Sequence, residues 1–176
     1  MEISEIKNYI SKGANTLNIN KWDFGASFSK DFSVQVDKGE AKQLKASQKQ
    51  IMTLRVWNSQ NLVGITTTSD LSEEGLLKAL NQANEASNYG NKNEQTDFSP
   101  LSKQPISNYN SQENLPSGIR KLLKILRDAE YKLLNTNNAI KSIPYNGLSE
   151  SFFKRIYANS DGALRSYENS QAALYL

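Results

Sequence analysis

Two pairs of carboxylates stand close enough in the chain to suggest acid/base work: Asp37 with Glu40, and Glu73 with Glu74. Such chemistry needs two carboxyl groups held a few ångströms apart in different environments. Asp37 and Glu40 flank Lys38-Gly39, a tight-turn signature, and Glu73-Glu74 begin a helical pattern, so turn and helix-start roles account for both pairs. Ser27, Ser29 and Lys30 hold the elements of a Ser-Lys nucleophile, but serine and lysine recur throughout the chain. No glycine-rich phosphate loop exists; Asn159-Ser160-Asp161-Gly162 is a turn without the following helix that phosphate binding requires. Trp22, Trp57, Tyr157 and Phe153 read as core or sheet-face aromatics rather than stacking platforms. No catalytic, cofactor-binding or metal-ligating residue is assigned.

The 176 residues contain no histidine and no cysteine. The usual general base, the usual zinc and iron ligands and the thiol nucleophile are therefore missing together. A metal site would have to be built from Asp and Glu, which suits magnesium or calcium rather than zinc. Neither a Ser-His-Asp nor a Cys-His arrangement can be assembled. The chain is expected to perform no hydrolysis by itself.

Composition bounds the rest. Apolar residues make up 38% and the mean hydropathy is −0.62, polar but sufficient for the core of one domain. Apolar runs fall far short of a membrane span, and the acidic start Met1-Glu2-Ile3-Ser4-Glu5 is unlike a secretion signal, so a cytoplasmic protein is expected. Net charge is +3. Acidic and basic residues balance up to Gly90; the excess lies beyond it, at positions such as Arg120, Lys121, Lys124, Arg127, Lys132, Lys141, Lys154, Arg155 and Arg165. Lys121, Lys124, Arg127 and Lys154 could bind an acidic partner or nucleic acid as a stand-alone interaction module. The sparser reading, a solvated helix face, is preferred, because a nucleic-acid footprint is normally denser.

Periodicity supplies the elements. Ile3, Ile6, Ile10 and Leu17 recur at helical spacing and predict an amphipathic helix ending near residue 16. From Trp22 the period becomes two, through Phe32, Val34 and Val36, and stops at the Asp37–Glu40 turn. A second strand runs through Leu44 to Ile51–Trp57, then Asn58-Ser59-Gln60-Asn61 turns into a third at Leu62–Thr68. Ser69-Asp70-Leu71-Ser72-Glu73-Glu74 offers two N-caps, Asp70 with Glu73 resembling a capping box, for a helix reaching about Asn88. Residues 89–116 carry three of the four prolines and no period, and are expected to be a mobile polar crossover. A helix opened by Ser117 follows, marked by Ile119, Leu122, Leu123, Leu126, Leu133 and Leu134. Strands are then expected at Ala139–Tyr145, Phe152–Ala158 and Ala163–Leu176. The expected fold is a single α+β domain over 1–176, an antiparallel sheet of two three-strand meanders with helices on one face. The apolar ending Ala172-Ala173-Leu174-Tyr175-Leu176 has no polar tail and suggests that a longer protein continues past it.

Several stretches together carry a resemblance. They are Ser33-Val34-Gln35-Val36-Asp37-Lys38-Gly39-Glu40-Ala41, then Leu54-Arg55-Val56-Trp57, then Val63-Gly64-Ile65-Thr66-Thr67-Thr68-Ser69-Asp70-Leu71-Ser72, and finally Tyr157-Ala158-Asn159-Ser160-Asp161-Gly162. In this order and spacing the chain resembles the N-terminal domain of the TldD/PmbA family, also called modulators of DNA gyrase. The Thr-Ser-Asp-Leu-Ser approach to the helix, with Phe98-Ser99-Pro100-Leu101 after it, is closer to the PmbA (TldE) branch. The resemblance implies a cytoplasmic protein more than twice this length, acting in pairs as a metalloprotease on unfolded or modified peptides. It implies zinc only in the TldD-type partner or subunit, whose two histidines and glutamate lie beyond this domain. No family metal ligand maps onto any position here. The implied role is non-catalytic: pairing with a TldD-like partner or with a second copy, and enclosing an extended peptide. No membrane is implied, and nucleic acid is the disfavoured partner.

Overall fold

The computed structural model describes residues 3–90, 97–104 and 117–176. Helix α1 (Ile3–Thr16) leads into strands β1 (Lys21–Asp37), β2 (Glu40–Trp57) and β3 (Val63–Thr68), helix α2 (Glu73–Ser87), helix α3 (Ile119–Leu134), and strands β4 (Gly147–Asn159) and β5 (Leu164–Tyr175). The strands form one five-stranded antiparallel sheet in the order β3-β2-β1-β4-β5. The α+β class expected from the sequence is what forms. Of the crossover at 89–116, only its first two residues and 97–104 are described, with a 3-10 turn at Pro100–Lys103; its expected mobility concerns residues outside those described.

The second meander has two strands, because Ala139–Tyr145 does not join the sheet. Asn137 Oδ1 captures the Ala139 N–H at 2.9 Å, the Ile140 N–H bonds back to the Asn137 carbonyl, and Pro144 has no N–H to give to a ladder. The place of backbone pairing is taken by one side chain. Buried Asn146 accepts the Val36 N–H at 3.0 Å and donates to the Val36 carbonyl at 2.9 Å, as a neighbouring peptide group would. Asn146 is thus an asparagine used for its side-chain amide.

The chain packs as two compact units, and the long strands give a segment to each. One comprises Met1–Ser27, Gln50–Asn110 and Arg155–Tyr167; the other comprises Phe28–Lys49, Ser111–Lys154 and Glu168–Leu176. In the first unit, Ile6, Ile10 and Ala14 of α1 and Leu76, Leu80 and Ala83 of α2 are buried with Trp22 and Phe24 of β1, Met52, Leu54 and Val56 of β2, and Ile156 and Ala158 of β4. These strand positions alternate, so one sheet face carries the helices. Each fully buried side chain of this size contributes about 1.5–3 kcal/mol. Strands β2 and β3 pair from Met52↔Thr68 to Trp57↔Val63. Helix α2 lies so close on β3 that a Cβ at Gly64 would stand 1.8 Å from the Ala83 carbonyl oxygen. The cap of α2 is Ser72, whose hydroxyl accepts the Gly75 N–H; Asp70 instead accepts the Ser72 N–H at 3.0 Å, so the Asp70–Glu73 box is replaced by a turn feeding a serine cap.

In the second unit, Leu122 and Leu126 of α3 pack on Val34, Val36 and Leu148, with Phe32, Ile119 and Leu123 at the margin. The β1–β2 hairpin turns on Lys38 (φ 51°) and Gly39 (φ 80°), the double left-handed pair of a two-residue hairpin. The carboxylate of buried Glu130 on α3 accepts the N–H groups of both residues, at 3.2 and 2.7 Å. Gly118 (φ 81°), and not Ser117, caps α3; the Ser117 N–H goes to Glu150 at 2.6 Å.

Candidate functional site

In the first unit, the sheet face away from the helices holds a polar cluster. Asp23, between the buried rings of Trp22 and Phe24, points to this opposite face by strand alternation. Its carboxylate takes both prongs of the Arg55 guanidinium from β2, Nε to Oδ1 at 2.8 Å and Nη2 to Oδ2. Tyr157 of β4 donates its hydroxyl to Oδ2 from the other side at 3.2 Å. Asn159 Nδ2 reaches the Tyr157 oxygen at 3.5 Å, while Asn159 Oδ1 accepts the N–H groups of Asp161 and Ala163 and shapes the β4–β5 turn. The turn is fastened back to β1 by the Ser160 N–H on the Trp22 carbonyl at 2.9 Å and the Trp22 N–H on the Ser160 hydroxyl at 3.3 Å. The Tyr157–Gly162 motif therefore supplies, in six residues, a donor to Asp23 and the turn that aims it.

Electrostatics fix the charge states. The hydrogen bond and charge of Asp23 hold the Arg55 pKa above its ordinary value. Burial, and then the charge of Asp23, pushes the Tyr157 phenol up. A phenol so raised is a hydrogen-bond donor and not a base, and a carboxylate engaged by a guanidinium and a phenol is poorly placed to activate water. Arg55 also lies 5.3 Å from the Trp57 ring centroid. Trp57 packs edge-on to Phe98 at 5.6 Å, and Lys21 Nζ sits 5.2 Å from both rings, with the exposed Asp97 carboxylate 4.0 Å from it.

Beside this cluster opens a cavity of about 450 Å³, within the range of small-ligand sites. Its floor includes Gly25 and Ser27 of the central strand β1. Ile51 and Thr53 of β2 flank one side, and Arg155 and Tyr157 of β4, with Arg165 and Tyr167 of β5, flank the other. A Cβ at Gly25 would meet nothing within 4 Å. Small residues on the middle strand and larger ones on its neighbours make a trough along β1. Arg165 Nη2 is held by the carbonyls of Ser102 and Gln104, at 2.7 and 2.6 Å, which ties the 3-10 turn to β5.

The residues weighed from sequence fall elsewhere or take other roles. Asp37 and Glu40 flank the hairpin, Glu40 lying 3.7 Å from Arg127; Glu73 and Glu74 form the first turn of α2. Ser27 lines the trough, whereas Ser29 and Lys30, adjacent on β1, project to opposite faces. Trp22 stacks on Phe24 within the core, as expected, and Trp57 is a buried sheet-face aromatic. Tyr157 belongs to the polar cluster, and Phe153 lies half-buried on β4. Of the four basic residues considered for an interaction module, Arg127 pairs with Glu40 and Lys154 with Glu168, which leaves Lys121 and Lys124 exposed on α3. Asp23, Arg55, Arg155 and Arg165 were not singled out as site residues. The available signal is a single charge between two apolar strand residues, in Trp22-Asp23-Phe24 and Leu54-Arg55-Val56.

Zinc does not fit this chain. It offers no histidine or cysteine, and among the described residues no three carboxylates converge on a point where a metal could sit. No helix among the described residues is long and apolar enough to cross a membrane.

Residues 22–87 match the family model described as PmbA/TldA metallopeptidase domain 1. Comparison with curated protein sequences finds no match. Among solved structures, the fold is similar to TldE from Thermococcus kodakarensis, with TM-score 0.72, 16% identity, and coverage of 94% of this chain and 37% of that one. It is similar to a candidate DNA gyrase modulator from Thermotoga maritima, with TM-score 0.68, 13% identity and coverage of 98% and 39%. A candidate modulator of DNA gyrase from Bacteroides thetaiotaomicron gives TM-score 0.69, 12% identity and coverage of 97% and 39%. The chain thus spans under two-fifths of the length of these structures. The resemblance to the N-terminal domain of the TldD/PmbA family, drawn from the sequence, is borne out.

Proposed function

We propose that this chain, which carries the first domain of the TldD/PmbA family, acts as the non-catalytic N-terminal domain of a metalloprotease subunit. It pairs with a TldD-type partner, or with a second copy, and helps to enclose an extended peptide in the cytoplasm. The observation that carries this reading is the match of residues 22–87 to the first domain of that metallopeptidase family. Similarity to the TldE fold supports the PmbA/TldE branch. The chemistry of the chain agrees: without histidine or cysteine, it leaves the polarised carbonyl and activated water of zinc hydrolysis to another polypeptide or domain. Extended peptides suit a sheet, whose outer strands β3 and β5 can pair with added backbone largely without regard to sequence.

The test is metal analysis and a peptidase assay on the dialysed chain. The reading expects no stoichiometric zinc and no cleavage of unfolded peptides. One zinc per chain, or peptide cleavage that a chelator abolishes, would refute it.

A further inference from the structure

We infer that the trough along β1 receives an acidic side chain, Asp or Glu, of the bound peptide, with Arg155 as its anchor. The inference rests on the peptide-holding role proposed above, with the peptide crossing the open sheet face over β1 and not confined to an outer strand, and names the class of peptide. Charge and shape both point to this occupant. Among the described residues the cavity is lined by Gly25, Ala26, Ser27, Ile51, Thr53, Ile156, Ser166 and the two tyrosines, with Arg155 and Arg165 its only charged groups; none of these lining residues is acidic. Arg55, next to the cavity, is neutralised by Asp23, whereas the two cations of the cavity itself have no carboxylate partner among the described residues. Arg165 is bonded to carbonyl oxygens, which hold its position and, being neutral, do not offset its charge. Arg155 is exposed and makes no ion pair among the described residues. A carboxylate arriving here meets a planar donor fork that carries no other partner among the described residues, suited to bidentate pairing.

The shape favours an extended chain over a compact ligand. Gly25 and Ser27 leave the middle strand low, and Ile51 with the Tyr157 and Tyr167 rings supplies apolar walls for the stem of the side chain. The Asp23–Arg55–Tyr157 cluster bounds the trough and is already satisfied, so it orients the walls without competing for the incoming carboxylate.

The test is fluorescence anisotropy with two labelled, C-terminally amidated Gly/Ser peptides, one with a central Glu pair and one with Gln in its place. Wild type is expected to bind the Glu peptide about tenfold more tightly, the scale of one charge-assisted hydrogen bond. Arg155→Gln should erase that preference, Arg155→Lys should retain part of it, and the control Lys121→Gln/Lys124→Gln on α3 should retain all of it. Far-ultraviolet circular dichroism identifies any variant that fails to fold, and the Lys variant then carries the test. Equal binding of both peptides, unchanged by Arg155→Gln, would overturn the acidic preference and leave the peptide-holding role standing. Binding of neither peptide would overturn both. An oligonucleotide that binds more tightly than the Glu peptide and depends on Arg155 would also overturn the inference.

Discussion

Asp23 and Arg55 face each other across β1 and β2 with very unequal exposure: 2% of the aspartate side chain is accessible against 45% of the arginine. The carboxylate is the buried member, and the guanidinium serves as its lid. Removing the lid strands a charge that, among the described residues, only the Tyr157 hydroxyl still satisfies. Arg55→Met is therefore expected to destabilise the protein by about 1–3 kcal/mol, a range kept below that of fully buried pairs because the arginine is half in water. Urea denaturation checks this. A midpoint indistinguishable from wild type would mean that Asp23 finds another partner.

Tyr157 ties the same cluster to alkaline pH. Its pKa is raised in the folded chain above the ordinary value of 10.0, by burial and then by Asp23. Between the unfolded and folded values the unfolded chain has lost the proton and the native chain keeps it, so stability is full below the unfolded pKa and falls as pH rises through the folded one. Tyr157→Phe should cost about 0.5–1.5 kcal/mol near neutral pH, through the lost hydrogen bond, and should lessen the decline above pH 10. Parallel wild-type and variant stability curves above that pH would contradict the assignment.

Glu130 bonds the two left-handed residues of the β1–β2 turn, although it is 92 positions from one and 91 from the other. Glu130→Ala leaves the Lys38 and Gly39 N–H groups without that acceptor and should cost about 1–3 kcal/mol. Amide exchange at these two residues should accelerate selectively. Unchanged exchange there would show that water substitutes for the carboxylate without loss.

Gly64 and Gly25 make a matched pair of tests. Alanine at Gly64 would drive its Cβ into the Ala83 carbonyl, at 1.8 Å, and should cost about 1–3 kcal/mol as α2 is pushed off β3. Alanine at Gly25 meets open space and should change stability by less than about 0.5 kcal/mol. Thermal unfolding of both decides the matter, and equal losses would mean that α2 does not lie so close to β3.

Much of this architecture is visible in the residues. The three-residue spacing of Ile3 and Ile6, the alternation of Phe32, Val34 and Val36, and the Asp37–Glu40 turn mark their elements because local periodicity is the signal that burial leaves. Ala139–Tyr145 misleads for the opposite reason. Its apolar and β-branched residues suit a strand, but Asn137, Pro144 and Asn146 divert the backbone through bonds that periodicity does not record. The site was harder to see. Asp23, Arg55 and Tyr157 come from three strands, and only the sheet order β2-β1-β4 makes them neighbours. Within each strand they look like ordinary alternating polar positions. The Tyr157–Gly162 segment could be recognised as a motif, but its physical purpose required knowing that Asp23 lay opposite.

The central claim, that this domain is a non-catalytic partner in a metalloprotease pair, is tested most directly by sedimentation. The chain would be mixed with a TldD-type subunit, and the mass of the faster boundary measured across a range of concentrations. The account predicts a stoichiometric complex of defined mass that persists when salt is raised, since pairing through sheet edges and apolar contacts is weakly screened. Two independently sedimenting species with this chain at its monomer mass at every concentration, or a complex that salt dissolves, would contradict it.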